Sequence, residues 1–180
     1  MRLFLAAELP QDARDELAHW TRGAVGRGEQ PRRLGTDTLH LTLAFLGEQP
    51  PSAVAPIAAT LGASAELLAA VDELHVGAPA WLPPRRPRVL AVEIRDPTGA
   101  LGRLRDALVA DLAASLGWDP GRERFRPHVT VARMRAGSQR ARELPPTPPL
   151  RFAPTAATLF RSSLEPDGAR YEALASVGTV

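Results

Sequence analysis

Two stretches of this chain carry side chains that can move protons and hold an anion. HLTLAFL begins at His40 and HVTVARM begins at His128. Both have the form His-apolar-Thr-apolar-Ala, and about half the chain separates them. On a β-strand, side chains alternate between faces. His40 and Thr42 therefore share one face, as do His128 and Thr130, with Leu39, Leu41, Leu43, Val129 and Val131 on the other. If the two strands lie side by side or are related by a pseudo-twofold axis, two imidazoles and two hydroxyls face one cleft. That set meets the needs of phosphodiester cleavage without a metal. One imidazole takes a proton from the attacking water and the other protonates the departing oxygen, both within the working range of histidine. The threonine hydroxyls donate hydrogen bonds to the non-bridging phosphate oxygens. Residue types alone leave the direction of proton flow open, because either histidine suits either task.

Alternatives to this chemistry are limited. The chain has no cysteine, which removes disulfides, thiolate catalysis and cysteine-ligated metals. All of its basic residues are arginine. There is thus no lysine nucleophile, and no P-loop is present. A metal held by the two histidines lacks support, since there is no HExxH motif and threonine is a poor transition-metal ligand. No cofactor and no metal are expected. The guanidinium fork matches phosphate oxygens, and Arg32, Arg33, Arg85, Arg86 and Arg126 are the basic candidates for contacting a nucleic acid. With 5% aromatic residues, any base-stacking surface is small; Trp81 is one candidate. His19 and His75 lack a threonine at the matching offset and are expected to be non-catalytic.

The elements that must position these residues are legible from periodicity. At 180 residues and 44% hydrophobic content, a single domain over residues 1–180 is expected. Strands are expected at Leu3–Leu9, Leu39–Gly47, Val71–Val76, Val89–Ile94, Phe125–Met134, Thr155–Ser163 and Arg170–Val177. Helices are expected at Gln11–Trp20, from Pro51 to Leu61 with a continuation toward Ala70, and at Thr98–Leu116. Gly77–Arg88 reads as a proline-rich extended loop, Gly137–Leu144 as a short helix, Pro145–Pro149 as a rigid linker and Pro166–Gly168 as a turn. The class is α+β. The N-terminal apolar run is too short for a signal-peptide core, and no stretch reaches the ~20 apolar residues that span a bilayer. A cytoplasmic monomer without membrane association is the expectation.

The segments LHLTLAFLGE and FRPHVTVARMR resemble the two signatures of the two-histidine phosphoesterase superfamily. MRLFLAAELP, RRPRVLAVEI and LFRSSLEPDGARYEAL are similar to stretches of the RNA 2′,3′-cyclic phosphodiesterases, which are also described as 2′-5′ RNA ligases. The resemblance spans nearly the whole chain. It implies a bilobal α+β fold, with two pseudo-symmetric antiparallel sheets, outer helices and a central cleft, one motif per lobe. It implies hydrolysis of RNA 2′,3′-cyclic phosphate ends, or of a cyclic nucleotide, to 2′-phosphomonoesters. It implies that His40 donates a proton to the 3′ oxygen, that His128 accepts one from water, and that Thr42 and Thr130 bind phosphate. ATP-independent 2′-5′ ligation is the related reaction in such a cleft, and a non-catalytic RNA-binding module is the reading from another class. Phe45 and Arg133 each follow a motif histidine by five residues and are candidates for contacting the nucleotide. Strict alternation, however, puts both on the face opposite the histidines.

Overall fold

The structure is a computed structural model that describes residues 1–25, 31–121, 124–135, 143–165 and 168–179. Among these residues the chain forms nine strands and four α-helices. In chain order they are β1 (Arg2–Glu8), α1 (Gln11–Ala24), β2 (Arg32–Arg33), β3 (His40–Glu48), α2 (Val54–Ala63), α3 (Ala65–Ala69), β4 (Leu74–Leu82), β5 (Val89–Arg95), α4 (Ala100–Leu116), β6 (His128–Arg133), β7 (Arg151–Phe152), β8 (Ala156–Glu165) and β9 (Gly168–Gly178). This is the expected α+β class.

The strands pair in the order β7-β4-β5-β6-β3-β1-β8-β9, with β2 on β6, and every pairing is antiparallel. The two motif strands, β3 and β6, are neighbours at the centre. They meet through the pair Leu41–Val129, so the two expected sheets are continuous at this seam. On each side the order is similar: β3 leans on β1 and β6 leans on β5. In each case the supporting strand leads through a helix, α1 or α4, toward its motif strand. The sequence repeat at His40 and His128 is therefore also a repeat of strand, helix and motif strand.

One face of the sheet is greasy. Leu3, Leu5, Leu41, Leu43, Leu90, Val92, Val129 and Val131 are buried in a single core with Leu17 of α1, Ile57 and Leu61 of α2, and Leu101, Leu104, Leu108 and Leu112 of α4. The spacing of the α4 leucines is that of one helix face. Gly117 ends α4 in the left-handed conformation, φ 62°, where a glycine carries no Cβ penalty. The opposite sheet face is left for the motif histidines.

Several boundaries differ from expectation. The Gly77–Arg88 segment is not a loop throughout: β4 runs to Leu82 and pairs Pro79 to Leu82 with β5. Its register shifts between Val76 and Pro79, and such a bulge accommodates a residue with no N–H to give the ladder. Strand β6 begins at His128 rather than Phe125, directly after Pro127. The short strands β2 and β7 carried no periodic signal. The helix expected at Gly137–Leu144 and the turn at Pro166–Gly168 lie largely outside the described residues. No helix of the described residues is long and apolar enough to cross a membrane.

Candidate active site

The Leu41–Val129 pair sets the geometry. In an antiparallel ladder, residues step in opposite directions from a pair. His40 therefore stands across from Thr130, and Thr42 across from His128. The two His-x-Thr units face each other in reciprocal fashion on one side of the sheet. His40, Thr42, His128 and Thr130 all line a single cleft of about 300 Å³.

Each imidazole is held the same way. His40 Nδ1 lies 2.8 Å from the carbonyl oxygen of Thr38, and His128 Nδ1 lies 2.7 Å from that of Arg126. A carbonyl only accepts, so Nδ1–H is the donor in both rings. That leaves both Nε2 atoms for chemistry in the cleft. The carbonyl two residues before each histidine thus selects the tautomer, and this repeats in the two halves like the motif itself.

Arg133 and Phe45 join the cleft, contrary to strict alternation. The reason is a bulge after each motif. On β3, Ala6 pairs with Thr42 but Leu5 pairs with Ala44, so Leu43 is the extra residue. On β6, Ala91 pairs with Thr130 but Leu90 pairs with Ala132, so Val131 is the extra residue. Each bulge breaks the period of two and turns the fifth residue back to the histidine face. Phe45 is 67% exposed rather than packed in the core. Arg133 stands beside Arg32 of β2 in register.

The cleft is built for negative charge. Arg2, Arg32 and Arg133 line it, and no carboxylate does among the described residues. The Arg32 guanidinium packs on Gly168, which has φ +123°. A side chain there would collide with it, so this glycine keeps the arginine at the cleft. Arg2 carried no sequence signal, whereas Arg32 was a candidate. Of the other candidates, Arg126 borders a neighbouring hollow beside His128 and Arg33 lines a separate depression. Arg85 and Arg86 are exposed in the turn after β4. Trp81 packs against the core. His19 is exposed on α1 within 3.4 Å of Arg22, and His75 pairs with Glu73 at 2.7 Å; neither lines the cleft.

His40 sits in an aromatic box. Phe4 and Tyr171 approach with ring centroids at 5.0 and 5.3 Å, and Phe160 at 6.4 Å. Burial among these rings holds its pKa below the ordinary value of 6.5. The Thr38 hydrogen bond opposes this, the charges of Arg133 and His128 reinforce it, and Glu8 opposes it weakly. In the free protein, His40 is thus mainly neutral at neutral pH. Glu8 lies beside His40 in register and accepts a hydrogen bond from Thr158, whose hydroxyl also meets Ser176 at 2.8 Å.

A central pair of antiparallel strands, each presenting one His-x-Thr unit to an arginine-lined cleft, defines the two-histidine phosphoesterase class. Comparison with known proteins narrows this. The sequence profile of the 2′-5′ RNA ligase superfamily matches residues 9–165. The chain is 33% identical over 176 residues to the RNA 2′,3′-cyclic phosphodiesterase of Escherichia coli K12, covering 96% of this chain and 93% of the relative. It is 34% identical to the protein of that name from Thermus thermophilus, covering 97% of this chain and 88% of the relative. Among solved structures, TT0787 of Thermus thermophilus superposes with a TM-score of 0.80 at 28% identity, covering 99% of this chain and 98% of that one. Apo LigT of Escherichia coli superposes with a TM-score of 0.77 at 29% identity, covering 98% and 96%. The chain belongs to the 2′-5′ RNA ligase superfamily.

Proposed function

We propose that this protein is an RNA 2′,3′-cyclic phosphodiesterase. It opens the terminal cyclic phosphate to a 2′-phosphomonoester by metal-independent acid–base catalysis, as one domain whose two lobes contribute one motif each. The observation that carries the reading is the reciprocal apposition of His40–Thr42 and His128–Thr130 across one strand pair, with both Nε2 atoms left for the cleft. The names of the relatives support the substrate.

In this reading the phosphate lies between the imidazoles. Thr42 and Thr130 donate to its non-bridging oxygens, and the cleft arginines offset its charge. His128 Nε2 accepts a proton from water, the water oxygen bonds to phosphorus, and the P–O3′ bond breaks. His40 Nε2 gives its proton to the departing O3′. Phe45 offers a face for the base, and Arg133 a charge near the phosphate. A proton donor must be charged, whereas the free protein holds His40 mainly neutral. An anionic phosphate beside Arg133 opposes that arginine's effect and favours the protonated form. The substrate thereby charges its own acid. The same ring opening, with a 5′-hydroxyl replacing water as the nucleophile, forms a 2′-5′ phosphodiester and is ATP-independent ligation in the same cleft.

The test is turnover of a 2′,3′-cyclic nucleotide in excess chelator. The wild type is expected to be fully active, and His40→Ala and His128→Ala to lose ~10²–10⁴-fold in kcat while remaining folded. A p-nitrophenyl phosphodiester separates the roles, because its leaving group departs without a proton. On that substrate His40→Ala should lose far less than His128→Ala. Full activity of His128→Ala on the cyclic substrate would sink the mechanism.

A further inference from the structure

Two hollows flank the central cleft, and they differ in charge. The one beyond His40, about 330 Å³, sets Glu8, Asp37 and Glu165 against Arg14 and Arg170. The one beyond His128, about 350 Å³, presents Arg105, Arg124 and Arg126, and no carboxylate lines it among the described residues. The pseudo-symmetry of the motif strands is therefore broken by the surroundings. Charge therefore favours a polyanion on the His128 side over the His40 side.

The hollow beyond His128 has further features of a single-strand groove. Trp118 and Phe125 line it. The Arg105 guanidinium lies over the Phe125 ring, 5.4 Å from its centroid. Arg105 Nε is buried and makes no hydrogen bond, while its Nη1 pairs with the exposed Asp106 at 3.1 Å. Arginine next to aromatic faces is the pairing that binds a nucleic-acid backbone and its bases without reading sequence. Thr42, Phe45 and His128 line both this hollow and the central cleft, so the two spaces adjoin at the second motif.

We propose that this groove receives the RNA strand upstream of the reacting end. It holds at least one phosphodiester on Arg124 and Arg105, with an adjoining base against Trp118 or Phe125. The proposal rests on the cyclic phosphodiesterase reading and extends it. In an RNA end, the nucleoside that bears the cyclic phosphate is joined through its 5′ oxygen to another phosphate anion, which a mononucleotide lacks. A groove with three arginines adjoining the cleft is where that anion and its neighbours are stabilised. The protein then favours oligonucleotide ends over cyclic mononucleotides.

The experiment compares kcat/KM for a 2′,3′-cyclic mononucleotide with that for a tetranucleotide ending in the same cyclic phosphate. Wild type should prefer the tetranucleotide. Arg124→Gln, at an exposed position, should lower the tetranucleotide value about tenfold and leave the mononucleotide value unchanged. The salt dependence of tetranucleotide kcat/KM should fall by about 0.7 in log–log slope for each phosphate that the protein no longer neutralises. Equal loss on both substrates, or no loss on either, overturns the proposal. So does inhibition of mononucleotide hydrolysis by a 5′-hydroxyl oligonucleotide that Arg124→Gln relieves while tetranucleotide hydrolysis is untouched, because the groove then serves a second strand. If wild type turns over neither substrate, the catalytic reading fails by itself. Titration of a 3′-phosphorylated tetranucleotide into wild type and Arg124→Gln then decides the groove: weaker binding by the variant upholds it, and equal binding ends it.

Discussion

At the residue scale, the site is two imidazoles in unlike surroundings. Both receive the same backbone restraint on Nδ1, but His40 is also enclosed by Phe4, Phe160 and Tyr171. Among the charges around it, Arg133 has the largest effect, and it lowers the His40 pKa. Removing that charge raises the pKa. Arg133→Gln should move the limb of the kcat/KM profile that reports His40 to higher pH, and it should weaken substrate binding as well. A His40-dependent limb that stays in place in Arg133→Gln means that the guanidinium does not act on the imidazole. His40→Gln serves as the control that identifies the limb.

At the element scale, the bulges decide which side chains face the cleft. Leu43 and Phe45 are two residues apart, and strict alternation treats them alike. The structure puts Leu43 in the core and Phe45 in the cleft. Their alanine variants should therefore fail in different ways. Leu43→Ala should cost about 2–5 kcal/mol of stability, read as a lower urea midpoint at constant m. Phe45→Ala should cost about 1 kcal/mol or less and instead raise KM. Equal destabilisation by the two would show that β3 runs without its bulge. This part of the site was hidden in the sequence because a bulge is a property of pairing between strands. Both motifs are followed by an apolar residue and then alanine, Leu43-Ala44 and Val131-Ala132, with both members buried. Two adjacent inward positions at the same offset in each copy are the one trace that the bulges left in the pattern.

For the whole molecule, the continuous sheet ties the candidate site to stability. His40 stands at the seam between the halves, and its pKa is lowered on folding. As pH falls below 6.5, the unfolded chain takes up a proton that folded His40 resists. Stability therefore declines from about pH 7 down to the folded-state pKa and then levels for this group. Chemical unfolding across that window should show the decline in wild type and a shallower one in His40→Gln. Equal slopes would show that burial of His40 has no energetic consequence for folding.

The α+β class, the order of most elements and the four motif residues were legible because each depends on local pattern. The strand period puts His40 with Thr42 and His128 with Thr130, and helical spacing marks α4. The proline-rich stretch before β5 misled, since Pro79 sits at a bulge within a strand rather than in a loop. Tertiary structure decided the rest. It made β3 and β6 direct neighbours, turned Phe45 and Arg133 into the cleft, brought Arg2 and Arg32 there, and charged the two flanking hollows differently. Each of these depends on which strand pairs with which and in what register. A single sequence records the alternation of its side chains, but only the folded sheet sets one strand's alternation against another's.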